Sequence, residues 1–387
     1  MNARLRWFAQ PLTALTLAVG LVAAAHAAVT VAPPPPLTNK AYIVMDFDSG
    51  RVLAESNADQ PLPPASMTKM MTSYIVEQAL KSGRLKPTDP VHVSEYAWCR
   101  GTSAESCMYL PLNSSASVID MLRGIIIQSG NDASKAVAEH LAGNEPAFAT
   151  LMNNEAQRLG MKNSHFMNAT GLPDPAHKAS ARDLATLARA IIRDSSEYYS
   201  IYAEKDFTFN GIKQGNRNAL LYTDPTVDGL KTGHTEEAGY CLTASSKRNG
   251  QRLISVVMGT SSMQDRADQT RALFNWGFAN YENVKPVAAG TVMAEAPVRF
   301  GKVDTVKAVP AQDVTATIPR GHAAEIKSTV TLNPDLTAPF AKGAVVGKVV
   351  ITLDGQVQGE QALVAQDAVE EAGFFRKLWQ RILSWFK

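Results

Sequence analysis

Apolar positions along the first two-thirds of the chain alternate between helical and strand spacing. They recur at helical spacing from Met67 to Leu80, and a second helical stripe begins near Ser117. Asp183–Arg193 predicts a further helix. The runs typical of paired strands are Ala41–Met45, Gly239–Ser245 and Leu253–Gly259. The pattern predicts an α/β domain over residues 28–283, in which helices pack on a central sheet.

A different pattern follows over residues 284–365. Short apolar runs, such as residues 345–351, alternate there with turn signals such as Asp354-Gly355. Short strands separated by turns at close intervals are typical of all-β modules. We therefore predict a second, β-rich domain over this range, and its sequence holds no candidate catalytic cluster.

Residues 374–387 divide into two faces when they are plotted at the 100° per residue of an α-helix. Aromatic and aliphatic side chains fill one half, and basic or other polar side chains fill the other. Fourteen residues of helix span about 21 Å, which is less than the ~30 Å core of a bilayer. We therefore predict that residues 366–387 are a linker and an amphipathic helix lying on a membrane, its basic face toward anionic headgroups. Docking of the helix on its own protein is the alternative.

Residues 1–27 have the layout of a secretory signal peptide, in which Arg4 and Arg6 precede an apolar run from Leu12 to Ala25. Cleavage before Ala28 removes these two arginines and no acidic residue, so the formal charge falls from +2 to 0. A neutral mature chain is a poor candidate for nucleic acid binding, which depends on neutralising phosphates. The remaining composition, 45% hydrophobic and 19% charged, is that of a globular protein.

The three cysteines fit an exported protein. Cys99 and Cys107 lie eight residues apart in a polar segment, and in an oxidising compartment they could form a disulfide. Cys241 lies in a predicted strand and is expected to be a buried thiol without chemistry. The seven histidines are scattered and no His-Glu-x-x-His motif occurs, so we predict no metal site and no cofactor.

Candidate chemistry comes from three short motifs. They are Ser66-x-x-Lys69, Ser129-Gly130-Asn131 and Lys231-Thr232-Gly233. Each is weak alone, because each also occurs by chance in helices, in turns between helices or at solvated strand ends. Together, and in this order within one predicted domain, they are typical of a serine acyl-transfer site. If a helix begins near Ser66, the i, i+3 spacing places Lys69 on the same face as the hydroxyl.

These residue types predict a mechanism. Ser66 is the expected nucleophile and Lys69 its general base, which requires the pKa of that amine to fall from its usual value near 10.4. Burial and a second cation both disfavour the ammonium form, and we expect Lys231 to be that cation. Ser129 is placed to relay a proton to the leaving group.

Residues 125–133 and 227–235 resemble the low-molecular-mass penicillin-binding proteins well beyond the motif letters. The resemblance is to the exported D-alanyl-D-alanine carboxypeptidases of the penicillin-binding protein 5 type, and it covers nearly the whole mature chain. It implies a transpeptidase/β-lactamase-like α/β domain with a central antiparallel sheet flanked by helices. A small β sandwich and a membrane-associated tail would follow.

The resemblance also implies a function. The chain would remove the terminal D-alanine from peptidoglycan pentapeptide stems through an acyl-enzyme on Ser66, and β-lactams would acylate it. Its place would be the periplasm, on the outer face of the inner membrane, in cell-wall synthesis and cell-shape control. No protein partner is implied.

The resemblance assigns substrate-binding roles as well. Asn131 would bind the substrate amide or orient the base, and Lys231 and Thr232 would face the terminal carboxylate. Gly233 would leave space for an extended peptide beside the strand. The backbone N–H groups of Ser66 and His234 would form the oxyanion hole. Arg266 is a candidate carboxylate partner, and a solvated helix start is the alternative for it.

Three other functions compete. A class A β-lactamase needs a glutamate in the loop between the second and third motifs, and Asn163–Ser180 contains none. A DD-endopeptidase that cuts crosslinks has a similar first domain, but it usually lacks the β-rich domain and the tail. A membrane-tethered sensor would have no use for an intact nucleophile at Ser66.

Overall fold

The computed structural model describes residues 31–100 and 105–384, so the predicted signal peptide lies outside the described residues. The helices are α1 (Lys69–Lys81), α2 (Val118–Arg123), α3 (Asn131–Ala142), α4 (Glu145–Leu159), α5 (Ala181–Asp194), α6 (Leu220–Thr223), α7 (Met263–Asn280) and α8 (Phe374–Ser384). The strands of the first part are β1 (Ala41–Asp46), β2 (Val52–Ser56), β3 (Pro90–His92), β4 (Ser115–Ser117), β5 (Asp206–Phe209), β6 (Ile212–Gly215), β7 (Val227–Thr235), β8 (Gly239–Arg248) and β9 (Gln251–Thr260). Those of the second part are β10 (Tyr281–Val287), β11 (Ala294–Pro297), β12 (Thr305–Pro310), β13 (Val314–Pro319), β14 (Lys327–Leu332), β15 (Val345–Leu353) and β16 (Gln356–Ala365).

A five-stranded antiparallel sheet in the order β2-β1-β9-β8-β7 is the centre of the first part. Helices cover both faces of this sheet, and its central strands accordingly carry apolar side chains on both faces. Along β1, Ile43 packs into a cluster that contains α1 and α5, whereas the next residue, Val44, packs with Phe274 of α7. Strand β7 lies at one edge of the sheet and pairs only with β8 among the described strands.

Helix α1 lies inside the molecule, and eleven of its thirteen residues are buried. It does not begin at Ser66 as the spacing predicted. Residues Ala65–Thr68 form a 3-10 turn, and the α-helix starts at Lys69. The i, i+3 relationship survives this difference, because side chains three apart eclipse each other in a 3-10 turn.

The second predicted helical stripe is also divided. Ser117 caps α2 by accepting a hydrogen bond from the backbone N–H of Asp120, and the helix then widens into a π-helical turn over Gly124–Gln128. This turn ends at Ser129, whose φ of 59° is left-handed, and α3 begins two residues later. Irregular turns of this kind are frequent at functional sites.

The second part is built of β-strands. Strands β11-β12-β16-β15-β14 form one sheet, β10 pairs with β13, and together they enclose a core that includes Ala308, Val349 and Leu363. This part begins with β10 at Tyr281, just before the predicted boundary at residue 284.

The terminal helix α8 contacts this β-rich part through its polar side chains. Arg376 pairs with Asp304 at 2.9 Å, and Gln380 Oε1 accepts a hydrogen bond from the backbone N–H of Phe300 at 2.7 Å. Phe374, Phe375, Leu378, Trp379 and Ile382 of α8 are exposed, and Trp379 is 62% exposed. No helix within the described residues is both long enough and apolar enough to cross a bilayer.

Candidate active site

Ser66 faces a cavity of about 690 Å³ between the start of α1, the π-helical turn and β7. The turn that holds it is packed tightly from behind. A Cβ on Gly171 would lie 1.9 Å from the carbonyl oxygen of Ala65, so only glycine allows the loop to approach this closely. Among the predicted residues, the cavity is lined by Ser66, Ser129, Thr232, Gly233, His234 and Arg266.

Lys69 is fully buried beneath the nucleophile. Its Nζ lies 3.1 Å from Ser66 Oγ, 2.6 Å from Asn131 Oδ1 and 2.6 Å from the carbonyl oxygen of Thr170. Two of the three neighbours can only accept hydrogen bonds. A neutral amine has two N–H groups and one lone pair, so donating to Asn131 and Thr170 leaves the lone pair facing the serine hydroxyl.

Burial, with a smaller contribution from the nearby cation Arg217, lowers the pKa of Lys69 to about 7. A substantial fraction of the Lys69 amines is therefore neutral at neutral pH, unlike those of an ordinary lysine. Lys231 was predicted to be the second cation, and no motif pointed to Arg217. Lys69 and Lys231 do repel each other. This repulsion adds to the effect of burial in lowering the pKa of Lys231.

Lys231 lies in the middle of β7, and its buried Nζ is 3.0 Å from Ser129 Oγ. The pKa of Lys231 falls well below its usual range because of burial, with further contributions from Lys69, Arg217 and Arg266. The site thus contains two pairs of a hydroxyl and a buried amine, one at Ser66 and one at Ser129.

Asn131 stands at the first position of α3 and links two groups. Its Oδ1 accepts a hydrogen bond from Lys69, and its Nδ2 donates one to Glu105 Oε2 at 2.7 Å. Glu105 also pairs with Lys135 at 3.3 Å. The motif identified Asn131, but no sequence signal pointed to Glu105.

Gly233 has a structural reason beside the predicted one. The expectation was that glycine keeps the strand edge free for a peptide. In the structure, a Cβ at Gly233 would lie 2.7 Å from the carbonyl oxygen of Pro64, so glycine lets β7 pack against the turn that carries Ser66. The backbone edge of β7 remains available for an extended chain.

Two arginines close one side of the cavity. Arg266 is buried in the first turns of α7 and donates hydrogen bonds at 3.3 Å to the carbonyl oxygens of Gly233 and Arg217. It is not a solvated helix start. Arg217 lines the cavity from the loop before α6, where no motif marks it. His234 stacks on Tyr240 with ring centroids 4.0 Å apart.

The cysteines are placed beside this site. Cys99 and Cys107 are joined by a disulfide, and Cys107 lines the cavity. Cys241 is a buried thiol in β8. Within the described part of the chain, the one cluster with metal-ligand spacing is Cys99, Glu105 and Cys107, and its two sulfurs are bonded to each other.

Comparison with known proteins identifies the family. Residues 27–262 match the family model described as D-alanyl-D-alanine carboxypeptidase, which is more than half of the chain. The chain belongs to the D-alanyl-D-alanine carboxypeptidase family. Residues 281–371 match the model for the C-terminal domain of penicillin-binding protein 5. Both the family and the serine-type enzyme class predicted from the three motifs are confirmed.

Individual members of the family are similar over most of their length. The D-alanyl-D-alanine carboxypeptidase DacA of Haemophilus influenzae is 48% identical over 350 residues, which are 89% of this chain and 89% of the relative. The protein of the same name from Escherichia coli is 43% identical over 94% of this chain and 92% of its own.

Among solved structures, penicillin binding protein 5 from Haemophilus influenzae is 47% identical, with a TM-score of 0.82 over 88% of this chain and 100% of that chain. This confirms the predicted fold class, a transpeptidase-like α/β domain followed by a β-rich domain.

Proposed function

We propose that the chain releases the terminal D-alanine from peptidoglycan stem peptides that end in D-Ala-D-Ala, through an acyl-enzyme on Ser66. One observation carries the proposal: the buried Lys69 amine lies 3.1 Å from Ser66 Oγ, and its pKa is lowered to about 7. A serine hydroxyl is a weak nucleophile unless a base beside it accepts its proton, and this amine can do so at neutral pH.

In acylation, Lys69 takes the proton as Ser66 Oγ attacks the carbonyl carbon of the penultimate D-alanine. The bond to the terminal D-alanine then breaks, and the proton taken up by Lys69 passes through Ser129 to the leaving nitrogen, so that Lys69 is neutral again. Lys231 supports this step because its amine is in contact with the Ser129 hydroxyl at 3.0 Å. The backbone N–H groups of Ser66 and His234 stabilise the negative oxygen of the tetrahedral intermediate.

The terminal carboxylate of the substrate binds at the cationic side of the cavity. Thr232 and the guanidinium groups of Arg217 and Arg266 line that side, and Lys231 lies beneath it. Guanidinium groups recognise a carboxylate by charge-assisted hydrogen bonds. This pattern favours a peptide with a free carboxyl end, which is the substrate of a carboxypeptidase.

Deacylation completes the cycle when water attacks the ester on Ser66. Lys69 is again the base that accepts a proton, because no other described titratable group lies within hydrogen-bond distance of Ser66 Oγ. β-Lactams would acylate the same serine, and the similarity to a penicillin binding protein supports this. The loop Asn163–Ser180 offers no glutamate to activate water, so their hydrolysis is expected to be slow.

The domains are proposed to divide this work. We assign residues 28–283 to catalysis, residues 284–365 to a β-rich stalk or docking domain, and residues 366–387 to a linker and membrane anchor. The family matches over residues 27–262 and 281–371 support the division. No metal or other cofactor takes part in the proposed reaction.

The anchor would hold the mature protein on the outer face of the inner membrane, in the periplasm. Five exposed apolar side chains of α8 support this, namely Phe374, Phe375, Leu378, Trp379 and Ile382. The helical pattern in the sequence predicted that the basic face would meet the headgroups. Arg376 instead pairs with Asp304, and Lys377 pairs with Glu371, so we propose that the apolar face inserts and supplies most of the membrane affinity.

The test uses the mature chain from Ala28 in detergent, with and without Ser66→Ala. Each protein is given a muramyl pentapeptide and a crosslinked peptide dimer, and free D-alanine and dimer cleavage are measured. Release of D-alanine from the pentapeptide, lost in the variant, supports the proposal. Equal cleavage of the dimer would instead identify an endopeptidase, and penicillin labelling without turnover would identify a sensor.

A further inference from the structure

Asn131 has a side chain whose two ends are nearly identical in shape but opposite in chemistry. Its oxygen only accepts hydrogen bonds and its NH₂ group only donates them. With the oxygen toward Lys69 at 2.6 Å, the lysine amine donates to it and keeps its lone pair for Ser66. With the amide turned over, the NH₂ group would donate to that lone pair and occupy the base.

Glu105 decides between these two orientations. Its carboxylate accepts only, and Oε2 lies 2.7 Å from Asn131 Nδ2. Turning the amide over would place the Asn131 oxygen against the carboxylate, where two acceptors repel each other, and this cost disfavours the orientation in which the NH₂ group occupies the Lys69 lone pair. We propose that Glu105 is a positioning residue that holds the Asn131 amide in the one orientation that leaves the Lys69 lone pair facing Ser66.

Glu105 is itself held from two sides. Lys135, one turn after Asn131 on α3, pairs with its carboxylate at 3.3 Å, and both side chains are mostly shielded from solvent. The next residue, Ser106, accepts a hydrogen bond from the backbone N–H of Asn131 at 2.7 Å. The disulfide at Cys107 ties the same segment to Cys99. These contacts hold the backbone and the side chain of Glu105 in place beside Asn131.

The charge of Glu105 has a second, separable effect on the base. Charged groups that act on Lys69 or share its site are Arg217, Glu105, Asp132, Lys135, Lys231 and Arg266. Burial lowers the pKa of Lys69, Arg217 and Lys135 lower it further, and the carboxylates of Glu105 and Asp132 oppose them. Removing the charge of Glu105 therefore lowers the pKa of Lys69. Removing its carboxylate oxygen instead leaves the Asn131 amide free to turn over.

Two variants separate these effects. Glu105→Gln keeps an acceptor oxygen for Asn131 Nδ2, because the Lys135 ammonium 3.3 Å from Oε2 disfavours an NH₂ group at that position. The variant loses the charge, so the acid limb of the rate profile moves to lower pH while the plateau stays within about twofold. Glu105→Ala loses the acceptor, and the plateau falls about tenfold. The rate measured is acylation by a fluorescent penicillin, from pH 5 to 9, in the mature chain. Glu95→Gln, an exposed glutamate on the same segment, is the matched control.

A third measurement tests whether Glu105 acts through Asn131. In the Asn131→Ala background, Glu105→Ala should have no further effect on the plateau, because the amide it positions is gone. A wild-type plateau in Glu105→Ala would overturn the inference. An additive loss in the double variant, or a loss in Glu105→Gln as large as in Glu105→Ala, would overturn it as well.

The inference rests on the proposed function, but the two can fail separately. If Ser66→Ala abolishes acylation and the Glu105 variants match wild type, only the positioning role is wrong. If the Ser66 variant is still acylated, the proposed nucleophile is wrong. Circular dichroism and the melting temperature of each variant identify any that does not fold. If Glu105→Ala is one of these, Glu105→Met replaces it, since methionine also lacks the carboxylate acceptor but fills more of the space, and the same loss of plateau is expected.

Discussion

Lys231 Nζ lies 3.0 Å from Ser129 Oγ, and both side chains are buried. The pair repeats, across the cavity, the contact between Lys69 and Ser66. In the proposed reaction, a pair of a hydroxyl and a buried amine therefore lies on each side of the scissile bond to transfer protons. The first pair removes a proton from the nucleophile, and the second delivers one to the leaving nitrogen. The rate should accordingly follow the protonation of Lys69.

We predict that kcat/KM for D-alanine release falls as the pH drops through about 7. The pKa of Lys69 is lowered to about 7, and only the neutral amine can accept the serine proton. Well below that value the rate should fall about tenfold per pH unit. The measurement is kcat/KM on a pentapeptide from pH 5 to 9. A profile that stays flat down to pH 5 would show that a carboxylate, and not this amine, is the base.

The Arg217→Met variant should move that profile. Arg217 lowers the pKa of Lys69, so removing its charge raises that pKa and shifts the acid limb to higher pH. KM should rise too, because a cation facing the substrate carboxylate is lost. Arg271→Met is the control, since Arg271 is on the outer part of α7 and pairs with Asp268. An unshifted acid limb in Arg217→Met contradicts the electrostatic role.

Gly171→Ala should impair both folding and acylation. A Cβ there meets Ala65 O at 1.9 Å, and its φ of +84° already disfavours other residues. Relief of the clash would move the turn of Ser66, or the loop that offers Thr170 O to Lys69. We expect a loss of at least about 3 kcal/mol in unfolding free energy and slower acylation by penicillin.

Gly160→Ala is the matched control for that variant. Gly160 has a similar φ of +78°, but nothing lies within 4 Å of the added Cβ. Only the backbone strain, about 1 kcal/mol, should appear, and acylation should be unchanged. Urea unfolding and acylation rates are measured for both variants. Equal effects of the two substitutions would mean that the close contact behind Ser66 does not hold the site.

These residues show which parts of the molecule local sequence can predict. Helix α1 and the strands β8 and β9 were found because their apolar spacing is a local property. The start of α1 was misplaced, because the 3-10 turn at Ser66 depends on a loop around Gly171 that is distant in sequence. A contact of that kind leaves no trace in periodicity.

The residues of the candidate site also fall into those that local sequence predicts and those that it does not. Ser66, Lys69 and Asn131 were predicted from motifs, whose spacing reflects chemistry common to many acyl-transfer enzymes. Arg217 and Glu105 were missed. Each is a single charged residue in a polar loop, where an arginine or glutamate on the surface looks the same in sequence. Only the fold brings them to the catalytic amine and amide.

Glu77 should make stability depend on pH. This carboxyl is fully buried in α1, Tyr202 donates to its Oε1 at 2.9 Å, and burial raises its pKa from 4.5 to about 7. Above pH 4.5 the unfolded chain releases the proton that the folded chain retains. The contribution of Glu77 to stability therefore falls between pH 4.5 and about 7 and then levels off, for a total of about 3 kcal/mol. Lys69, whose pKa is lowered, makes an opposite contribution above pH 7, so the Glu77 step is read from the difference between wild type and a Glu77 variant.

Glu77→Gln tests this, because glutamine fills the same space without a charge. The variant should lose the pH-dependent step, so that relative to wild type it gains stability at pH 8 and changes little at pH 4.5. Urea midpoints at the two pH values provide the measurement. The exposed Glu95→Gln should keep the wild-type step. Parallel stability curves for wild type and Glu77→Gln would contradict the assignment of the step to this carboxyl.

Membrane binding should depend on the apolar face of α8 more than on its charges. Phe375 and Trp379 are 85% and 62% exposed, while Arg376 is engaged by Asp304. Burying two aromatic side chains in lipid contributes at least about 3 kcal/mol, so the double variant Phe375→Glu/Trp379→Glu should bind vesicles more than about 100-fold more weakly. Val357→Glu, at an exposed apolar position on β16, is the control and should bind as wild type does.

The vesicle composition then separates insertion from charge attraction. If insertion dominates, the mature chain should bind phosphatidylcholine vesicles nearly as well as vesicles containing an anionic lipid, and raising the salt should change its affinity only slightly. Attraction between basic residues and headgroups is instead screened by salt over about 10 Å at 0.1 M. Binding that requires anionic lipid and disappears in high salt would therefore mean that α8 leaves Asp304 at the membrane, with its basic face turned to the headgroups as the sequence pattern alone predicts.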